Sequence, residues 1–220
     1  MLQRLTALLF PPKCILCREL LKPQETDLCH RCRLEAPVAV KSKFKLSFVA
    51  RWAAVWYYKD DVRSSLLRYK FSNRRSYALA YGRFLAMKLQ TEEMDGFDVL
   101  TWVPVGFFRR LKRGYDQDAL IARAVAAELG VTAVQTLKKV KNTPPQSGIH
   151  DAAKRRANVL NAYRITDPAL VRSKRILLID DIITTGATVS ECARVLLTAG
   201  AKEVNCAAVA VALHDKKQTM

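Results

Sequence analysis

Acid is what this chain is short of. Its 220 residues hold 20 Asp+Glu against 37 Lys+Arg, a formal charge of +17. A field of that size draws polyanions, nucleic acid foremost, with anionic lipid and ribosomes as rivals. It exceeds what the handling of a small anion needs. Long apolar runs are missing as well. The run at residues 5–10 is too short for a secretory signal and lacks a cleavage site, and no stretch is long enough to span a membrane. The predicted location is therefore cytoplasmic, a reducing compartment that disfavours disulfides. Repeats and low-complexity tracts are absent, so the expectation is one full core with a small appendage.

What is present is concentrated in residues 175–188, RILLIDDIITTGAT. An unbroken apolar run reads as a parallel strand buried on both faces. It ends in Asp180 and Asp181, at the edge where open α/β sheets hold ligands. Thr184 and Thr185 bring hydroxyls and Gly186 permits a tight turn. The amides of Thr185, Gly186, Ala187 and Thr188 then open a helix, a ready anion site. Ionised carboxylates only accept hydrogen bonds, so the two acids are assigned to ribose hydroxyls or a metal and not to phosphate.

This stretch resembles the signature of type I phosphoribosyltransferases, which bind phosphoribosyl pyrophosphate. The resemblance implies Asp180 and Asp181 on the ribose 2′- and 3′-hydroxyls, and residues 184–188 around the 5′-phosphate. Flanking patterns agree with an α/β fold whose mainly parallel sheet is flanked by helices. Strands are expected at 51–58, 98–105 and 204–213, with helices from Asp60 or Asp61 through Tyr69, at 76–90, from Tyr115 to Leu129, and after Thr188 to Gly200. In that family the loop after an earlier strand wraps the pyrophosphate. Residues 105–110 hold that place here, with Gly106 for close backbone approach and Arg109 or Arg110 as forked donors. Residues 142–157 are either a lid or a surface connection.

Four of six cysteines form Cys14-x2-Cys17-x11-Cys29-x2-Cys32, the spacing of a structural zinc ribbon. Two disulfides or an iron–sulfur centre are the competing readings, and the reducing compartment favours zinc. His30 is a bystander beside a complete set, while Cys192 and Cys206 fall on apolar faces as core residues. The expected division is residues 1–40 as the ribbon with a short N-terminal helix, and 41–220 as the phosphoribosyltransferase-like domain. Cations cluster at 109–113, 138–141 and 154–156, with Phe107, Phe108 and Tyr115 within or beside the first group. Interleaved aromatic and basic residues suit single strands, whose bases stack while the phosphates pair with cations.

The ribbon, residues 109–117 (RRLKRGYDQ) and the DDIITTGAT site, in that order, resemble the bacterial ComF competence family. The likeness extends to residues 61–71 (DVRSSLLRYKF) and 146–158 (QSGIHDAAKRRAN). It implies a cytoplasmic protein of natural transformation, acting on incoming single-stranded DNA with the uptake machinery at the inner membrane. Two classes stay open. One is a DNA-handling protein that binds phosphoribosyl pyrophosphate. The other is an active, amidophosphoribosyltransferase-like enzyme moving phosphoribosyl to a nitrogen acceptor, with Mg²⁺ neutralising the pyrophosphate it releases.

Overall fold

The structure is a computed structural model that describes residues 11–40, 45–141 and 159–212. The expected helix at 1–10, most of the 41–45 linker, the 142–157 connection and the cations at 154–156 lie outside the described residues. Among those described, no helix is long and apolar enough to cross a membrane.

Four parallel strands make the sheet, in the order β1-β6-β5-β2: β1 (Trp52–Tyr57), β6 (Glu203–Val211), β5 (Arg175–Ile183) and β2 (Val99–Trp102). The central strand, β5, is apolar on both faces because both faces are covered. Leu177 and Ile179 enter one core, and Ile176 and Leu178 enter the other. Strand alternation then puts Asp180 in phase with Leu178 and Asp181 in phase with Ile179, both at the carboxyl edge. Residues 37–39 cap the outer edge of β1 through Val38 opposite Trp56, and Ala133 bridges to Leu100 on the far edge. Neither edge is left as a template for another chain.

Three helices pack on the first face: α2 (Asp60–Phe71), α3 (Tyr77–Thr91) and α5 (Gln117–Glu128), while α6 (Ala187–Thr198) covers the second. A short helix, α1 (His30–Glu35), belongs to the ribbon and another, α4 (Phe107–Arg113), follows β2. The small strands β3 (Leu137–Lys139) and β4 (Tyr163–Ile165) form an antiparallel pair that the residue pattern did not announce. Three residues are too few to establish a period.

The ribbon is no loose appendage. Ile15, Leu16 and Leu28 share a core with Trp56, Tyr69 and Tyr81 of the sheet and helices. Arg83 clamps Asp27 with two hydrogen bonds, of 2.9 and 2.6 Å.

Helices α3 and α5 touch backbone to backbone at Gly82. A Cβ there would lie 2.4 Å from Ala124 Cβ and 2.8 Å from the Ala124 carbonyl carbon. Gly82→Ala is expected to force the helices apart and lower stability by about 1–3 kcal/mol. Urea unfolding checks it: the midpoint falls while the slope holds.

Candidate functional site

The four ribbon thiols converge as expected. One Sγ from each of Cys14, Cys17, Cys29 and Cys32 lies within 4.8 Å of the others, and the Cys17 and Cys29 sulfurs are 3.5 Å apart. All four are free thiols. Zinc–sulfur bonds of about 2.3 Å in a tetrahedron set neighbouring sulfurs about 3.8 Å apart, so the set fits the ion with little movement. Local backbone makes this possible. Cys14 and Cys17 ride a turn closed by Cys14 N–H to Glu19 O at 2.8 Å, while Cys29 caps α1 and Cys32 sits in its first turn. Burial pushes the Cys29 thiol up to about 11, so metal binding must displace its proton at neutral pH. His30 is exposed and outside the cluster.

At the carboxyl edge of β5, Asp180 and Asp181 are both buried. Lys70, from the last turn of α2, pairs with Asp181 at 2.8 Å, and Gln117 Nε2 donates to the same oxygen at 3.4 Å. Asp180 Oδ1 accepts the Asp181 amide at 2.9 Å. Burial first, and Asp181 second, push Asp180 up to about 7. Burial works against the Lys70 ammonium, but Asp181, joined by Asp118 and Asp180, holds its pKa above the usual lysine value. A third acid joins them. Asp118, in the first turn of α5, brings a carboxylate oxygen within 4.8 Å of those of Asp180 and Asp181. Burial, reinforced by Asp181 and Asp180, raises its pKa well above the carboxylate range.

Beyond Ile183 the chain turns through Thr184 and Thr185 to Gly186, whose φ of +73° is the left-handed conformation that favours glycine. Ala187 begins α6, its amide 3.4 Å from Thr185 Oγ1, and Thr188 follows in the first turn. Of residues 105–110, expected as a loop, 107–110 are instead the start of α4, with Gly106 at its N-cap in ordinary extended backbone. Only Lys139 Cδ, at 3.6 Å, would touch a Cβ there, so glycine is not sterically required. Asp116 caps α5 through the Ala119 amide at 3.0 Å and also accepts from Val105 at 3.4 Å, which ties the β2 exit to α5.

Arg109 reaches inward from α4. Burial, then Arg113, lowers its pKa, and burial with Arg109 brings Lys139 on β3 down to about 8. Arg109 thus lies close enough to Lys139 to disfavour its charge. No residue of α4 is fully buried, and Phe107 and Phe108 are 68% and 62% exposed. Phe71 is 69% exposed and carries the Arg113 guanidinium 5.1 Å from its ring centre. Tyr115 corrects an expectation. It is only 8% exposed, its hydroxyl donates to Tyr69 O, and Arg75 covers its ring, so it is a core residue and not a stacking platform.

Sequence reasoning missed Lys70 and Asp118, and placed Lys139 only within a basic cluster. For Asp118 a signal existed: it precedes Ile121 and Ala122 by three and four residues, so the helical period already put an acid on the buried face.

Comparison with known proteins agrees with this geometry. Residues 119–219 match the phosphoribosyl transferase domain and residues 5–43 the double zinc ribbon domain. Over 218 residues the chain is 26% identical to "Competence protein F" of Haemophilus influenzae, covering 87% of this chain and 93% of that protein. The chain is a competence protein F homologue. This homologue is also 26% identical to "Competence protein ComFC" of Streptococcus pneumoniae, over 86% of its own length and 77% of the other's. With "DNA utilization protein YhgH" of Salmonella typhi the identity is 34%, over 61% of this chain and 60% of that protein. The domains and the homologues bear out the expected fold class and family.

The ribbon match and the thiol cluster point to zinc. Elemental analysis is expected to find one zinc per chain, absent from Cys14→Ser. Because Ile15 and Leu16 are part of the main core, that variant is also expected to melt at a lower temperature throughout the molecule. A two-step melt with an unshifted main transition would count against this coupling.

Proposed function

We propose that this chain binds phosphoribosyl pyrophosphate and single-stranded DNA, and supports DNA uptake in natural transformation with the uptake machinery of the inner membrane. The naming of its homologues as competence and DNA utilization proteins supports the broad role. The observation that carries the rest is a juxtaposition. Buried paired carboxylates and a glycine-hinged turn lie at the same sheet edge as an exposed helix of phenylalanines and arginines.

In this reading Asp180 and Asp181 accept from the ribose hydroxyls, and the residue 184–188 turn holds the 5′-phosphate. Arg109, set one turn into α4 by Gly106, meets the pyrophosphate with Lys139. Mg²⁺ bound with the pyrophosphate supplies charge neutralisation. The cytoplasm is the compartment that this substrate and the free thiols suit. Losing a charged acceptor for a hydroxyl costs about 1.5–3 kcal/mol, roughly ten- to a hundred-fold in affinity. Asp181→Asn is expected to weaken the sugar pyrophosphate by that factor in calorimetry. Equal affinity in parent and variant would remove the ribose from this position. Pyrophosphate release with a nitrogen acceptor would mark the working transferase instead.

DNA is placed along α4, its bases on Phe107, Phe108 and Phe71 and its phosphates on Arg109, Arg110 and Arg113. For single strands the logarithm of affinity falls with the logarithm of salt by about 0.7 per phosphate neutralised. Replacing the three arginines with Ala is therefore expected to flatten that slope by about two units. Phe107→Ala with Phe108→Ala is expected to cost about 1–3 kcal/mol per unstacked base and leave the slope nearly alone. Parent-like slope and affinity in both variants would take DNA off this helix.

A further inference from the structure

We propose that the end of α2 and the turn after it, residues 71–75, form a second contact for single-stranded DNA that continues the track along α4. It rests on the DNA reading above and extends it to a segment outside both matched domains, 5–43 and 119–219. Elsewhere in the molecule arginines are answered by acids: Arg83 by Asp27, Arg175 by Asp98 and Arg194 by Glu191. Here they are not. Residues 71–76 (FSNRRS) and 107–114 (FFRRLKRG) contain no carboxylate. Among the described residues no ion pair joins Arg74, Arg75, Arg110 or Arg113 to an acid. Arg74 and Arg75 are exposed and follow Phe71, itself 69% exposed at the end of α2. Cations left unneutralised together on a surface attract a polyanion.

Contacts make this turn and α4 one surface. Arg113, the last residue of α4, lays its guanidinium 5.1 Å from the Phe71 ring centre. Arg75 stands 4.8 Å from the ring centre of Tyr115, and a Cβ on Gly114 would lie 3.0 Å from its Nη2. Asn73 takes the left-handed conformation, φ +51°, and its Oδ1 accepts from Arg75 Nε at 2.9 Å. That bond aims Arg75 without using its terminal nitrogens, which suit a phosphate. Rings and cations thus alternate from Phe107 and Phe108, through Arg110 and Arg113, to Phe71 and then Arg74 and Arg75. Single strands suit such alternation, because their bases stack while their phosphates pair. A surface that enters lipid instead separates its apolar face from its charged face. Here Arg113 lies directly on the Phe71 ring.

The test uses the full-length, zinc-loaded chain and labelled oligothymidylates of about 4 and about 12 nucleotides, the first to fit α4 alone and the second to pass onto the turn. Losing two phosphate contacts flattens the logarithmic salt slope by about 1.4, a loss of about ten-fold or more at ~0.15 M salt. Arg74→Ala with Arg75→Ala is expected to show that loss on the longer strand and to leave the short one, held on α4, unchanged. Arg74→Glu is the second variant should Tyr115 shift without Arg75, and it is expected to weaken the longer strand several-fold. Parent-like slope and affinity for the longer strand in these variants overturns the proposal. The DNA reading survives that result if replacing the three α4 arginines still weakens binding. Equal losses on both strands would mark a general field and not a contact, and would also overturn it. A loss confined to vesicles of anionic phospholipid, with DNA binding unchanged, would give the turn to lipid. A parent that binds neither strand removes the DNA reading itself, and this contact with it.

Discussion

Adjacent carboxylates at the end of an apolar strand must be answered by something, and much of this molecule is arranged around Asp180 and Asp181. Lys70 answers Asp181 directly at 2.8 Å, and Gln117 adds a donor from a second helix. Asp180 folds back onto the next amide of its own strand. Removing Lys70 would leave a buried charge without compensation, which is far costlier than losing a surface ion pair. Two buried acids can stay at this sheet edge only because neighbouring elements supply these partners.

Helix α2 makes that edge continuous with the ribbon. Ser65 Oγ donates to Ile15 O at 2.5 Å and Arg68 donates to the carbonyls of Ile15 and Leu16, both within the first cysteine knuckle. One turn on, Tyr69 donates to Gln117 O at 2.7 Å and Lys70 reaches Asp181. Consecutive faces of one helix thus hold the thiol cluster and the paired acids. Metal loss at Cys14 and Cys17 would loosen the support of the very helix that presents Lys70. The ribbon acts as structural support for the site, in addition to any role as a binding module.

Electrostatics divides the sheet edge into two regions. Buried acids occupy the end of β5, while Arg109 and Lys139 stand over the exit from β2 with their cationic forms disfavoured by burial. A ligand with hydroxyls at one end and phosphate groups at the other matches that division. Farther out, α4 carries exposed aromatic rings among cations. It follows directly from β2, so a polyanion lying on it would be close to the smaller site.

Local chemistry by itself determined the strand at 175–183, the glycine at 186, the helix opening at Asp116 and the four-thiol set. Each depends on neighbours in sequence: an apolar run, a turn needing positive φ, a cap, a pair of knuckles. Tertiary structure alone decided the rest. Tyr115 looked like a stacking residue because it follows a basic run, yet its burial was set by Tyr69 and Arg75, far away in sequence. Residues 105–110 read as a loop because no apolar face demanded helix, and no residue of α4 is fully buried. Lys70, Asp118 and Asp181 come from three separate segments. What brings them together is the packing of α2 and α5 on β5, through cores that a sequence pattern can mark as apolar but cannot pair. Side-chain period tells which face is buried, and only the folded chain decides what that face meets.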